Sequence, residues 1–293
     1  MGFWSNLFKS KPKEAVKPIN ISDRFEVENP VGQGSMSKVY RARDKMLGRQ
    51  VCLKVLDKHK TQKFDERFKG LKRPNEGIIS VSLRHRNVVR TFEWGVTTKA
   101  EIWLSMEMID GVGFNFLIET RNKQLQGNRF NYLIQVAEGL KYIHDQNYIH
   151  RDICPRNTMV NTEGVVKLID FGLTIPNTPE FRRPGNRTGS ANYMAPELIK
   201  RVTTDQRVDL FALGVTAYEC FTQNLPWEGA QSMQTMLSHL NATGRDPRDF
   251  NPDLPDDVVK FLVKSIERDP RDRFQTATDF RDACRRLQEK HGL

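Results

Sequence analysis

His150-Arg151-Asp152-Ile153-Cys154-Pro155-Arg156-Asn157 and, past two short strand-like runs, Asp170-Phe171-Gly172 are the stretches on which the reading of this chain turns. Taken singly, Asp152 reads as a helix or loop cap and Asp170 as a turn residue ahead of Gly172. Neither reading explains their joint spacing. Just upstream, from Phe130, the residues Leu133, Val136, Ala137, Leu140 and Ile143 recur three and four apart, as on one face of a helix. Thr158–Val160 and Val165–Ile169 read as the two short strands. Downstream, past Ala195-Pro196-Glu197, the pattern is mainly helical, with Pro- and Asp-rich loops.

Further upstream the period is that of strands. Arg24–Val31, Lys38–Arg43 and Gln50–Leu56 alternate, the last through Val51, Leu53 and Val55. A charged helical stretch is predicted over residues 64–84, then strands near 88–96 and 101–108. Between the first two strands lies Gly32-Gln33-Gly34-Ser35-Met36-Ser37-Lys38-Val39. Glycines there let backbone N–H groups approach a phosphate with no Cβ in the way. A strand follows the turn, so the setting is not that of a dinucleotide-binding fingerprint. Lys54 lies on the next strand; alone it reads as a surface residue. Strands first and helices later imply an α+β chain with two lobes.

The composition narrows the class. The 293 residues include 38% hydrophobic and 28% charged residues, an ordinary globular balance. No apolar run approaches bilayer length, so no membrane span is expected. The four cysteines, Cys52, Cys154, Cys220 and Cys284, are scattered, with neither zinc spacing nor a disulfide framework, which predicts a reducing, cytoplasmic setting. The net charge is +10. Residues 22–108 hold 18 basic and 11 acidic side chains, whereas residues 109–293 hold 24 of each. No aromatic-and-basic recognition motif accompanies the excess, so nucleic acid is not an expected partner.

Residues 1–21 read as a separate tail. Phe3, Trp4, Leu7 and Phe8 can share a helical face, followed by Lys9, Lys11, Lys13 and Lys17. That pattern fits weak contact of residues 1–17 with an anionic membrane surface. A disordered tail with an apolar end is the plainer alternative. No secretory apolar core is present, and Asn6 breaks the myristoylation pattern.

With their order and element types, these motifs resemble the eukaryotic-type protein kinase superfamily, most closely its Ser/Thr branch, over residues 22–288. The resemblance implies an α+β, two-lobed fold. A small antiparallel-sheet lobe with one main helix (22–108) would precede a larger, mostly helical lobe (109–288). It implies transfer of the γ-phosphoryl of ATP, with Mg2+, to hydroxyls of protein substrates. Asp152 matches the base and Asn157 and Asp170 the magnesium ligands, whose hard oxygen donors suit that ion. Lys54 matches the lysine on the α- and β-phosphates. Glu76, nine residues before His85, matches that lysine's partner; Glu66 is the alternative. Val31, Gly32, Gln33, Gly34, Ser35, Met36, Ser37, Lys38 and Val39 match the phosphate-covering loop, with Ser37 in place of its third glycine. Cys52, Glu107, Met108 and Met159 complete the implied ATP-binding set. Asp209 matches an aspartate bracing the catalytic loop, and Arg273 the partner of Glu197.

Several departures qualify the likeness. Cys154 stands where Ser/Thr kinases usually carry a lysine, and Arg156-Asn157 is closer to the tyrosine branch. Thr188-Gly189-Ser190 through Glu197 follows the Ser/Thr pattern, with Ser190 at the usual Thr position. A tyrosine or dual-specificity kinase and a nucleotide-binding pseudokinase scaffold are the alternatives. Cys154 reads either as a small tolerated residue or as a redox-sensitive thiol, since nearby arginines favour a thiolate. Ser80 and Thr91 stand where the family packs aliphatic side chains. Arg151 is expected to meet a phosphate on the activation segment, with Thr174, Thr178 and Thr188 as candidate acceptors and Thr178 and Thr188 favoured.

Overall fold

A computed structural model describes residues 17–33, 36–185, 187–228 and 232–292. The described chain divides into two compact units. One comprises the residues up to Lys63 together with Thr91–Met108, the other Phe64–Arg90 together with the residues from Ile109 onward.

The first unit opens on a single helical turn, α1 (Ile21–Arg24), and then forms a five-stranded antiparallel sheet. In chain order its strands are β1 (Phe25–Gln33), β2 (Ser37–Asp44), β3 (Arg49–Leu56), β4 (Thr91–Val96) and β5 (Ile102–Met106), and in space they run β1-β2-β3-β5-β4. The alternation read in the sequence is the reason for the sheet's buried face. Val51 and Leu53 of β3 point inward with Phe25, Ala42 and Trp103, and Phe25 meets the Trp103 ring edge-on at 5.2 Å. Arg24 is buried beside them, with Nη2 3.0 Å from Asp44 and 2.6 Å from Glu93. A buried guanidinium is tolerable only when paired in this way. The stretch read as a tail to residue 21 is held at its end, since Ile19 N donates to Val96 O. Residues 1–16, with the expected membrane contact, lie outside the described residues.

The helix expected over 64–84 is broken. Helix α2 (Lys58–Asp65) ends early, Glu66–Phe68 make one tight turn, and the chain stays non-helical until α3 (Glu76–Ser82). Gly70 adopts φ +86°, outside the helical region, and Pro74 cannot lie inside a helix. Asn75 then starts α3, its side-chain oxygen accepting from Ile78 N at 2.9 Å. Glu76 therefore opens its helix instead of sitting in the middle of one.

The second unit places α4 (Phe114–Glu119) and α5 (Arg129–Asp145) after a short strand, β6 (Gly111–Gly113). β6 joins β8 (Thr158–Asn161) and β9 (Val166–Leu168) in a three-stranded sheet; β7 (Tyr148–Ile149) pairs with β10 (Ile175–Pro176). Val89 N donates to Leu168 O and Asn87 Nδ2 to Val166 O, both at 2.9 Å, so the segment after α3 is stitched to this sheet. The remaining helices are α6 (Pro196–Ile199), α7 (Arg207–Thr222), α8 (Ser232–Asn241), α9 (Asp256–Ser265) and α10 (Ala277–His291). Helix α7 is buried along nearly its whole length, and burial of each large apolar side chain contributes about 1.5–3 kcal/mol. A capping box of Thr276 and Asp279 starts α10, which packs along α5. No described helix is long and apolar enough to cross a membrane.

Candidate active site

The loop from His150 to Asn157 is built around one buried carboxylate. Asp209, on α7 and fully buried, accepts from His150 N at 2.8 Å and Arg151 N at 2.7 Å, and pairs with His144 Nε2 at 2.9 Å. Burial by itself would raise this carboxyl's pKa. The hydrogen bond and charge of His144, with the other contacts, outweigh it and hold the pKa below the ordinary aspartate value. These bonds clamp a strained backbone, since Arg151 sits at φ +69°. His150, fully buried, has its pKa pushed down by burial.

The clamp presents Asp152. Its Oδ1 accepts from Ser190 N at 2.9 Å and from Ser190 Oγ at 2.8 Å. Its Oδ2 accepts from Asn157 Nδ2 at 2.7 Å, and the same amide donates to Asp152 O at 2.9 Å. Ser190 can come this close because Gly189, at φ +130°, has no side chain. A Cβ there would lie 2.8 Å from Arg151 O. Asp170 also has a left-handed backbone, φ +82°, and its Oδ1 accepts from Gly172 N at 2.9 Å. Phe171 is buried edge-on against His150. The donor types suit magnesium: with both Asn157 amide bonds made through nitrogen, its carboxamide oxygen is left as an oxygen donor, and Ile169 N, one residue before Asp170, donates to Asn157 O at 2.9 Å.

In the sheet unit, Gly32 pairs with Val39 and Gln33 with Lys38 across the β1–β2 hairpin, Val31 preceding them on β1. Ser37 starts the return strand, directly after Met36; Gly34 and Ser35 lie outside the described residues. Register then brings Val39 opposite Lys54, Lys54 opposite Leu104, and Cys52 opposite Met106, with Glu107 and Met108 following directly. Lys54 is 5% exposed, not the surface residue that a lone strand lysine suggests. Glu76 and Met159 belong to the helical unit, on α3 and β8.

The activation-segment candidates differ in access. Thr174 is fully buried, and Thr188 is 7% exposed with a buried Oγ1 that has no hydrogen-bond partner. Thr178 is half-buried. The thiolate reading of Cys154 fails: the side chain is buried, and burial with the Asp152 charge pushes its pKa up to about 12. Burial likewise pushes Cys52 up to about 11 and Cys220 up to about 12, and raises Cys284. Ser80 and Thr91 are buried, each with a hydroxyl that finds no partner.

Arg273 forks onto Glu197 with two bonds of 2.8 Å, the geometry that planar charge pairs favour. Sequence reasoning missed His144, which reads as an ordinary residue of the α5 face, and the bond from Tyr193 Oη to Glu219 at 2.6 Å. Arg73 lies inside the stretch expected to be one charged helix, yet its side chain is only 4% exposed.

Known proteins are similar in sequence to this chain. A probable serine/threonine-protein kinase of Clostridium perfringens is 32% identical over 88% of this chain and 37% of its own length. The serine/threonine-protein kinases PrkC of Bacillus subtilis and PknB of Mycobacterium tuberculosis are each 28% identical, over 88% and 90% of this chain and 40% and 43% of their own. The chain thus spans about two fifths of the length of these relatives. The family described as Protein kinase domain matches residues 25–284, from the first residue of β1 into α10. With the loop around Asp209 and the Glu197–Arg273 pair inside that span, the chain belongs to the protein kinase domain family.

Proposed function

We propose that this chain is an active protein kinase that transfers the γ-phosphoryl group of ATP to serine or threonine hydroxyls of proteins. The observation that carries the reading is the constraint on Asp152. A carboxylate offers about four acceptor positions, and Ser190 and Asn157 take three. The remaining one suits the proton of an acceptor hydroxyl, so Asp152 acts as the base and orients the nucleophile for in-line attack. Asn157 and Asp170 are the residues to hold magnesium, which, when bound, neutralises charge on the phosphates. From their motif positions, Lys54 and its partner Glu76 serve the α- and β-phosphates, under the loop Val31–Val39, with Cys52, Glu107, Met108 and Met159 around the nucleotide. Thr178 is the favoured autophosphorylation site, being more exposed than Thr188.

The names of the relatives support serine and threonine over tyrosine as acceptors. One observation favours a second reading, a nucleotide-binding scaffold: the buried thiol of Cys154 cannot supply the cation that a lysine would bring to the γ-phosphate. Incubation with labelled MgATP and a generic protein acceptor, beside Asp152→Asn, separates the two. Label on Ser or Thr that vanishes in the variant is the expected result. Nucleotide binding without transfer would leave the scaffold. Contact of residues 1–17 with anionic membranes is a separate proposal, supported by their sequence pattern. Flotation with phosphatidylserine vesicles should weaken when residues 1–17 are removed, and equal flotation would dismiss it.

A further inference from the structure

From Lys58 in α2 to the start of α3 the chain carries a run of lysines and arginines, all but one of them exposed. Lys58, Lys60, Lys63, Arg67, Lys69 and Lys72 are exposed. Arg73 turns inward. Its Nη2 donates to Gly172 O at 2.7 Å and its Nε to Thr174 O at 3.1 Å, while Nη1 meets Asp65 at 3.0 Å. The guanidinium carbon lies 4.7 Å from the Phe64 ring centre. The same segment touches the following stretch twice more: the Phe68 and Phe181 rings lie 5.7 Å apart, and Arg67 Nη1 donates to Arg187 O at 3.3 Å.

We propose that Arg73 is a positioning residue for the Asp170-Phe171-Gly172 segment, fixing from outside the backbone on which the Asp170 carboxylate is carried. The two carbonyls it fills flank Leu173, so one planar fork pins both sides of a single residue. Asp170 is held at φ +82°, a conformation that persists only where its surroundings over-determine it. Locally, one bond from Gly172 N to the Asp170 side chain and one from Thr174 N to Phe171 O shape this turn. Arg73 adds a tie to a second element, beside the packing of Phe171 on His150 and the bond from Thr174 Oγ1 to His150 O at 3.4 Å. Because Arg73 lies three residues before Glu76, the same fork sets where α3 begins relative to Asp170. A lysine, with a single ammonium, cannot reproduce two parallel bonds to separate carbonyls.

The inference rests on Asp170 as a magnesium ligand, but half of its test does not. Amide hydrogen exchange on the full chain without nucleotide compares wild type, Arg73→Met and Arg73→Lys. Arg73→Met keeps an apolar stem on Phe64 and removes all three donors. Expected are exchange at least tenfold faster over residues 170–176 in Arg73→Met, unchanged exchange in α5 and α10, and an intermediate Arg73→Lys. In phosphotransfer assays the Mg2+ concentration for half-maximal rate should rise several-fold in Arg73→Met, with a smaller loss of rate at saturating Mg2+. Exchange and Mg2+ dependence both within twofold of wild type would overturn the proposal. So would faster exchange throughout α5 and α10 in both variants, since Arg73 would then be a general packing residue. If wild type transfers no phosphate, the kinase reading falls and the exchange result alone decides.

Discussion

Asp152 is bonded on both oxygens by groups with different duties, and substitution should separate them. On the proposed function, Asp152→Asn removes the base and should lower kcat by about 10²–10⁴-fold with the fold intact. Ser190→Ala removes one of two bonds to Oδ1 and leaves the backbone N–H, so a loss of about tenfold is expected. Steady-state rates for the two variants check both figures. Ser80 offers the opposite case. Its buried, unpartnered hydroxyl is a liability, so Ser80→Ala should be neutral or stabilising by up to about 1 kcal/mol in urea denaturation. Asp152, Asn157 and Asp170 stand out in the sequence as candidates because their residue types and order are rare together. Arg73 was not legible, because nothing local distinguishes a buried arginine from its exposed neighbours; only the carbonyls it meets, about a hundred residues away, do so.

At the scale of elements, the strands were legible from alternation, and α5 from its apolar stripe. The helix expected over 64–84 was not, because charge density was taken for helix while Gly70 and Pro74 went unweighed. Asn75→Ala should remove the cap that starts α3 and destabilise by about 1 kcal/mol. A larger effect belongs to α7. A Cβ on Gly214 would come within 2.4 Å of Ser265 O at the end of α9, and backbone cannot swing away as a side-chain end can. Gly214→Ala should therefore cost about 2–3 kcal/mol, read as a thermal midpoint lowered by roughly 3–5 °C.

On the scale of the molecule, the two-lobed plan was legible from strands preceding helices. The attachment of residues 64–90 to the helical unit was not, since it depends on pairing between Val89 and Leu168 that no local pattern encodes. Titration also acts at this scale. Burial lowers the pKa of His85, His150 and His239 below 6.5. The unfolded chain therefore binds protons at these positions more readily than the folded one. Their contribution to stability is complete above pH 6.5 and is lost as the pH falls through the lowered values. The thermal midpoint should be level between pH 8 and 7 and decline from pH 6.5 to 5, less steeply in His239→Gln. Calorimetry across that range is the check. The cysteines carry a practical consequence of the same burial. Burial raises the pKa of every native thiol, so reactive thiolate is scarce at all four at neutral pH. A single cysteine introduced at an exposed position such as Glu180 would take up a maleimide dye ahead of all four. The wild-type background is thus already suited to fluorescence measurements on the segment between Gly172 and Ser190, with no native cysteine needing replacement.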